Sequence, residues 1–281
     1  MPQIARFWLL VAIMVLGTMA GTRVAVAAGD TTDPAVPPPS KPAVTETTPT
    51  APATPGTGVP KDELGNTIAG ILGELDDRWT EVFKEQGQSY KGPRIVLFRN
   101  ATNGGRCGMV QSETGPFYCA ADRLIYLDPG HFRDVEIRYR ACSGDTCKFA
   151  TAFLIAREAG HHIQNLMGIL PRVQRLQEQA PSKTAANALQ VRVELQADCL
   201  SGVWFYLEEK KRPGFLEAGG LEAALATAEA LGDDTLQRQS TGRVVPDSFT
   251  RGSAAQRKQW FTTGYKEGTL AGCNTFAAGA F

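Results

Sequence analysis

The sequence lacks an excess of charge of either sign: 29 basic residues stand against 29 acidic ones in a chain of 281. No basic stripe or arginine-rich run interrupts that balance, which argues against a nucleic-acid partner. No internal repeat is visible, and no Ser/His/Asp arrangement for nucleophilic catalysis stands out. The extended apolar run at the N-terminus, from Phe7 to about Ala20, is shorter than the roughly 20 residues a comfortable membrane span requires. No cysteine is left over either: there are six, an even number, which in an exported chain reads as three disulfides and disfavours a cysteine nucleophile.

Three regions follow from composition. Residues 1–28 carry Arg6 ahead of the apolar run and close on Ala25-Val-Ala27, the small-x-small pattern of a leader cleavage site. They read as a signal peptide, the alternative being an uncleaved membrane anchor. Residues 29–60 are a Pro/Thr-rich linker; nine prolines and eight threonines between 31 and 60 leave almost nothing to build a core. Residues 61–281 are long enough for one domain with a substantial core. The expected location is periplasmic or secreted, with the membrane reached only through the N-terminal segment if it is retained.

Within the domain, helices dominate a small sheet, an α+β pattern. Apolar periodicity predicts helices over Lys61–Gln86, Phe149–Met167, Lys183–Lys211, Gly220–Leu231 and Ala254–Lys266. Pro171 and Pro213 are read as stops just beyond the second and third, and Gly232-Asp-Asp234 as the stop of the fourth. Short strands are expected at Arg94–Phe98, Phe117–Cys119 and Leu124–Leu127, with a Gly-rich turn at Asn103–Gly108. Six cysteines allow many pairings, and sequence alone does not choose among them. The expected set is Cys107–Cys119 across a short turn, Cys142–Cys147 closing a small loop, and Cys199–Cys273 tying a helix to the C-terminal tail. Cys142-x-x-x-x-Cys147 as half a metal site is disfavoured, because no second Cys or His pair lies nearby.

The chemistry is concentrated in Phe153-Leu-Ile-Ala-Arg-Glu-Ala-Gly-His-His-Ile-Gln164. In metallopeptidases of the H-E-x-x-H type, two histidines four residues apart share a helical face and bind zinc, and the glutamate between them is the general base. Here Glu158 and His161 hold the base and second-ligand places, and Arg157 holds the first. A second helix offers Glu194 and Asp198, one turn apart, as a third ligand and the residue that supports a histidine from behind. His162 faces about 100° away from His161 and reads as structural. His131 reads as a surface residue, and Trp204, Phe205, Tyr206, Phe117 and Tyr118 read mainly as packing.

Several segments, in register from about residue 61 to 276, resemble the neutral zinc metallopeptidase family. They are Arg106-Cys-Gly108, Gln111-Ser112, Gly115-Pro-Phe-Tyr-Cys119, Ile125-Tyr-Leu-Asp128, Glu158-x-Gly-His-His-x-Gln164 and Arg192-Val-Glu-Leu-Gln-Ala-Asp-Cys199. Gly232-Asp-Asp234, Val245-Pro-Asp-Ser-Phe249 and Cys273-Asn-Thr-Phe276 complete the set. The resemblance implies a zincin-like fold, a zinc ion and peptide hydrolysis. The chain departs from the family at Arg157, in place of the first zinc-binding histidine, and at Arg251, where the family commonly has a histidine.

Arginine stays protonated at physiological pH and offers no lone pair to a metal. His161 and Glu194 then supply two ligands where catalytic zinc normally has three. The guanidinium is expected instead to fork onto Glu194 or Asp198 and neutralise them. Zinc is thus expected to be absent or weakly bound. The expected function is that of a non-catalytic family member of the cell envelope, with a groove for a peptide or an envelope protein. The alternatives are an active zinc peptidase with an atypical ligand set, and a purely structural envelope domain.

Overall fold

The computed structural model describes residues 63–137 and 140–277. The expected leader, 1–28, and linker, 29–60, lie outside the described residues. The described part is α+β and mainly helical. Among the described residues, no helix is long and apolar enough to cross a membrane.

The sheet has three strands in the order β1 (Arg94–Leu97), β5 (Leu124–Leu127), β4 (Phe117–Cys119). β1 runs parallel to β5, with Ile95 opposite Ile125, and β4 antiparallel to it, with Tyr118 opposite Ile125. The Gly-rich segment does form a turn, but flanking strands β2 (Ala101–Asn103) and β3 (Met109–Gln111) make it a hairpin. Asp128 pins this hairpin to the end of β5. Its carboxylate accepts the Asn100 N–H at 3.0 Å, the Gly130 N–H at 2.7 Å and the Ser112 hydroxyl.

Helix α1 (Glu63–Glu85) buries Ile68, Ile71, Leu75, Trp79 and Phe83, the face its periodicity marks. α3 (Cys147–Leu166), α5 (Lys183–Lys211), α6 (Gly220–Ala230) and α8 (Ala254–Glu267) lie close to their expected ranges. Three short helices were not expected. α2 (Pro129–Ile137) begins on a proline, a residue tolerated where a helix starts. α3 ends before Pro171, as expected, but Pro171 lies in the first turn of a further helix, α4 (Ile169–Glu178). Gly168, left-handed at φ 72°, ends α3 and starts α4, and a proline in a first turn removes no intrahelical hydrogen bond. α6 ends just before Gly232, as expected, and α7 (Asp233–Thr241) begins directly after it. Gly232 is also the N-cap of α7, and Asp233 and Asp234 complement the positive end of that helix.

The core is a layer of aromatic rings between α3, α5 and α8. Phe153 meets Phe261 at 5.5 Å, Phe205 meets Phe261 at 5.3 Å, and Trp204 meets Phe205 at 5.0 Å. The pairing expected for the cysteines is present: Cys107–Cys119, Cys142–Cys147 and Cys199–Cys273. Gly202 and Gly264 let α5 and α8 approach closely: a Cβ on Gly202 would collide with the Phe261 carbonyl oxygen, and one on Gly264 with that of Cys199.

Two outcomes follow. Overpacking of this kind costs about 1–3 kcal/mol, so Gly202→Ala should lower the thermal midpoint by roughly 2–10 °C. For Asp128, burial alone would raise the carboxyl pKa, but the Ser112, Gly130 and Asn100 hydrogen bonds and the Arg99 charge hold it below its ordinary 3.8. A depressed carboxyl contributes stability that is present above the unfolded value and lost as pH falls through the folded one. Asp128→Ala should therefore cost about 1–3 kcal/mol at neutral pH, and the gap to wild type should narrow below the unfolded value when urea midpoints are compared.

Candidate active site

The site forms where α3 crosses α5. Gly160 permits that crossing: a Cβ there would lie 3.1 Å from the Ala197 carbonyl oxygen and 3.2 Å from its Cα. With the backbones this close, the Arg157/His161 face of α3 meets the Glu194/Asp198 face of α5. All of these side chains are largely buried.

The Arg157 guanidinium lies among three carboxylates. Nη1 donates to Glu158 Oε1 at 2.6 Å, Nη2 pairs with Glu194 Oε2, and Nε lies 3.4 Å from Asp198 Oδ1. Glu158, the candidate base, is thus paired to its own neighbour in sequence. Burial raises its pKa, opposed by the Arg157 and Arg251 charges and a hydrogen bond from the Tyr118 backbone. Glu194 also accepts from Gln190 Nε2 at 2.8 Å.

His161 carries its proton on Nδ1. Gln164 donates through Nε2 to the Val193 carbonyl at 2.8 Å and to Gln196 Oε1 at 2.9 Å, which leaves Gln164 Oε1 to accept from His161 Nδ1 at 2.8 Å. Gln196 donates onward to the Cys273 carbonyl at 2.9 Å. The C-terminal tail therefore orients the imidazole, and Nε2 turns its lone pair toward Glu194 Oε2, 3.8 Å away. Burial and the Arg157 charge pull the His161 pKa down to about 3, so the ring is neutral.

Asp198 does not support a histidine, as the H-E-x-x-H pattern would have it. Arg257 grips it with two hydrogen bonds, Nε to Oδ2 at 2.8 Å and Nη2 to Oδ1 at 2.9 Å. Arg257 also donates to the Leu231 carbonyl at 2.7 Å and is 1% exposed. No motif marks Arg257, but its helical spacing does. Arg257, Trp260, Phe261 and Gly264 form the buried stripe of α8, and an arginine on an apolar stripe calls for a buried partner.

Above these groups lies a cavity of about 420 Å³, lined by Arg157, Glu158, His161 and Glu194 and also by Arg251 and Arg257. His131, read from sequence as a surface residue, is half-buried and lines this cavity, its ring against Gly115. The strand β4 edge, through Phe117 and Tyr118, forms another part of the wall. His162 is structural, as expected: Nε2 donates to the Lys91 carbonyl at 2.8 Å, and Nδ1 accepts from the Tyr118 hydroxyl at 2.9 Å.

The family model described as "Putative neutral zinc metallopeptidase" matches residues 8–276. The chain belongs to that family. The uncharacterized protein YpfJ of Escherichia coli (strain K12) is 46% identical over 216 residues, which span 77% of this chain and 72% of YpfJ. The uncharacterized protein Rv2575 of Mycobacterium tuberculosis (strain ATCC 25618 / H37Rv) is 40% identical over 205 residues, 70% of this chain and 67% of its own. No solved structure matches the chain.

Zinc is associated with the family, and the residues present do not fit it. His161 Nε2 and Glu194 are the donors that face each other, and the Arg157 guanidinium is paired with the same Glu194 oxygen that faces the imidazole. A cation already holds that carboxylate, Asp198 is taken by Arg257, and among the described residues no group of three ligands is assembled. The cluster instead makes the fold depend on its arginines. Arg257→Met strands Asp198 with one longer ion pair and should cost about 3–5 kcal/mol in urea unfolding. Adding Asp198→Leu should recover part of that loss, because the stranded charge goes with it.

Proposed function

We propose that this chain is a non-catalytic member of the metallopeptidase family that acts in the cell envelope and binds a peptide, or a segment of an envelope protein, in the old substrate cavity. The observation that carries the reading is the Arg157 guanidinium bonded to Glu158 and Glu194 and adjoining Asp198. In a zinc peptidase, Glu158 must be free to take a proton from the water that attacks the peptide bond. Here its carboxylate is held in an ion pair, and the first metal ligand has become a cation.

The cavity itself argues for a binding role. It has apolar walls and is bordered by β4, one of the two edge strands of the three-stranded sheet. Edge strands are common docking sites for extended peptides. Three disulfides support an oxidising compartment outside the cytoplasm, in keeping with the leader-like residues 1–28.

Elemental analysis of the purified chain after dialysis against zinc tests the reading. The wild type should hold far less than one zinc per chain, and Arg157→His, which restores a third protein donor, should bring the ratio near one. A wild-type ratio near one, with peptide hydrolysis that Glu158→Gln abolishes, would overturn it in favour of an active enzyme with an atypical ligand set.

A further inference from the structure

Of the three arginines that line the cavity, two are already engaged by buried carboxylates. Arg157 is held by Glu158 and Glu194 and adjoins Asp198, and Arg257 is held by Asp198 and the Leu231 carbonyl. Arg251 differs. Among the described residues its guanidinium makes no hydrogen bond and no ion pair, although the residue is half-buried and lines the same cavity.

Its backbone, by contrast, is tightly fixed. Asp233 Oδ2 accepts the N–H groups of Thr250, Arg251 and Gly252 at 2.7, 2.6 and 3.0 Å, and Asp234 Oδ1 accepts that of Ala254 at 2.7 Å. Gly252 turns the chain at φ 92°, against Leu195. The two aspartates that open α7 therefore clamp the loop that presents Arg251. An anchored backbone that carries an unpaired cation into a cavity is the arrangement of a preorganised anion receptor, since little further ordering is needed when the ligand arrives.

The rest of the cavity narrows the ligand. Leu154, Leu170, Val173, Leu231 and Leu236 form an apolar part of the wall, beside the polar Gln174, Gln177 and Gln190, so the cavity offers room for an apolar group next to the anion. A guanidinium matches the planar fork of a carboxylate. We infer that Arg251 anchors the carboxylate of a peptide ligand whose apolar side chain lies against this wall. The inference rests on the groove reading above and specifies how the groove recognises its ligand. A free C-terminus and an acidic side chain offer the same group.

The test uses the purified chain, immobilised, and pools of randomised hexapeptides biotinylated at the N-terminus through an amide, a label without a carboxylate. One pool has free C-termini and no Asp or Glu, one is C-terminally amidated and free of Asp and Glu, and one is amidated with a single Asp or Glu in each peptide. The carboxylate-free pool should be retained about ten- to hundredfold less than a pool that carries the anchoring group, the size of a charge-assisted hydrogen bond. Preference for the first pool identifies a C-terminal carboxylate, and preference for the third an acidic side chain. Arg251→Gln should erase the preference and Arg251→Lys keep part of it, with melting temperatures checked for both. Equal retention of all three pools by the wild type would overturn the anchor and leave the groove standing; Arg251 would then serve only to offset the charge of Glu158. Retention of none would overturn the groove reading and the anchor with it.

Discussion

Three carboxylates close together in a protein interior repel one another, and each has lost the water that would have screened it. Glu158, Glu194 and Asp198 are in that position because α3 and α5 cross with almost no space between their backbones at Gly160 and Ala197. A cation must sit among them for the crossing to hold. In a zinc peptidase that cation is a metal, acquired from solution. Here it is Arg157, covalently part of α3, with Arg257 of α8 as a second clamp on Asp198. The packing of the three central helices and the electrostatics of the site are thus one constraint: each of the three carboxylates meets an arginine in the folded chain.

The surroundings are organised around that constraint. The tail from Cys273 to Phe276 is bound to α5 through Cys199–Cys273, through Gln196, and through Arg192, which exchanges hydrogen bonds with Thr275 at 2.8 and 2.7 Å. By way of Gln196 and Gln164 it also sets the His161 tautomer. An imidazole so oriented turns its Nε2 lone pair toward Glu194, the carboxylate that Arg157 also pairs with. Glu158 keeps its burial and its backbone hydrogen bond and is paired with Arg157.

Legibility in the sequence differed by element length. α1, α3, α5 and α8 are long and carry apolar residues at helical spacing over several turns, so the pattern alone marked them. α2, α4 and α7 run nine or ten residues, too short for periodicity to outweigh local punctuation. The stops at Pro171 and Gly232 hold for α3 and α6, but each residue also opens a further helix, Pro171 in the first turn of α4 and Gly232 as the cap of α7. This matters for function because Leu170 and Val173 of α4 and Leu236 of α7 wall the cavity. The elements hardest to read are those that shape the binding space.

What the sequence determined alone is the set of chemical groups and their pairing along each helix. The 3.6-residue period puts Arg157 with His161 and Glu194 with Asp198, whatever the rest of the chain does. An arginine at the first ligand position removes a donor before any fold is considered. Only the tertiary structure decided which charge meets which. Arg157 adjoins all three carboxylates, Asp198 is turned to Arg257 rather than to a histidine, and Arg251 enters the cavity without a partner among the described residues. Those outcomes depend on helices brought together from segments tens of residues apart, and their approach is set by packing at Gly160, Gly202 and Gly264. No local pattern records that distance.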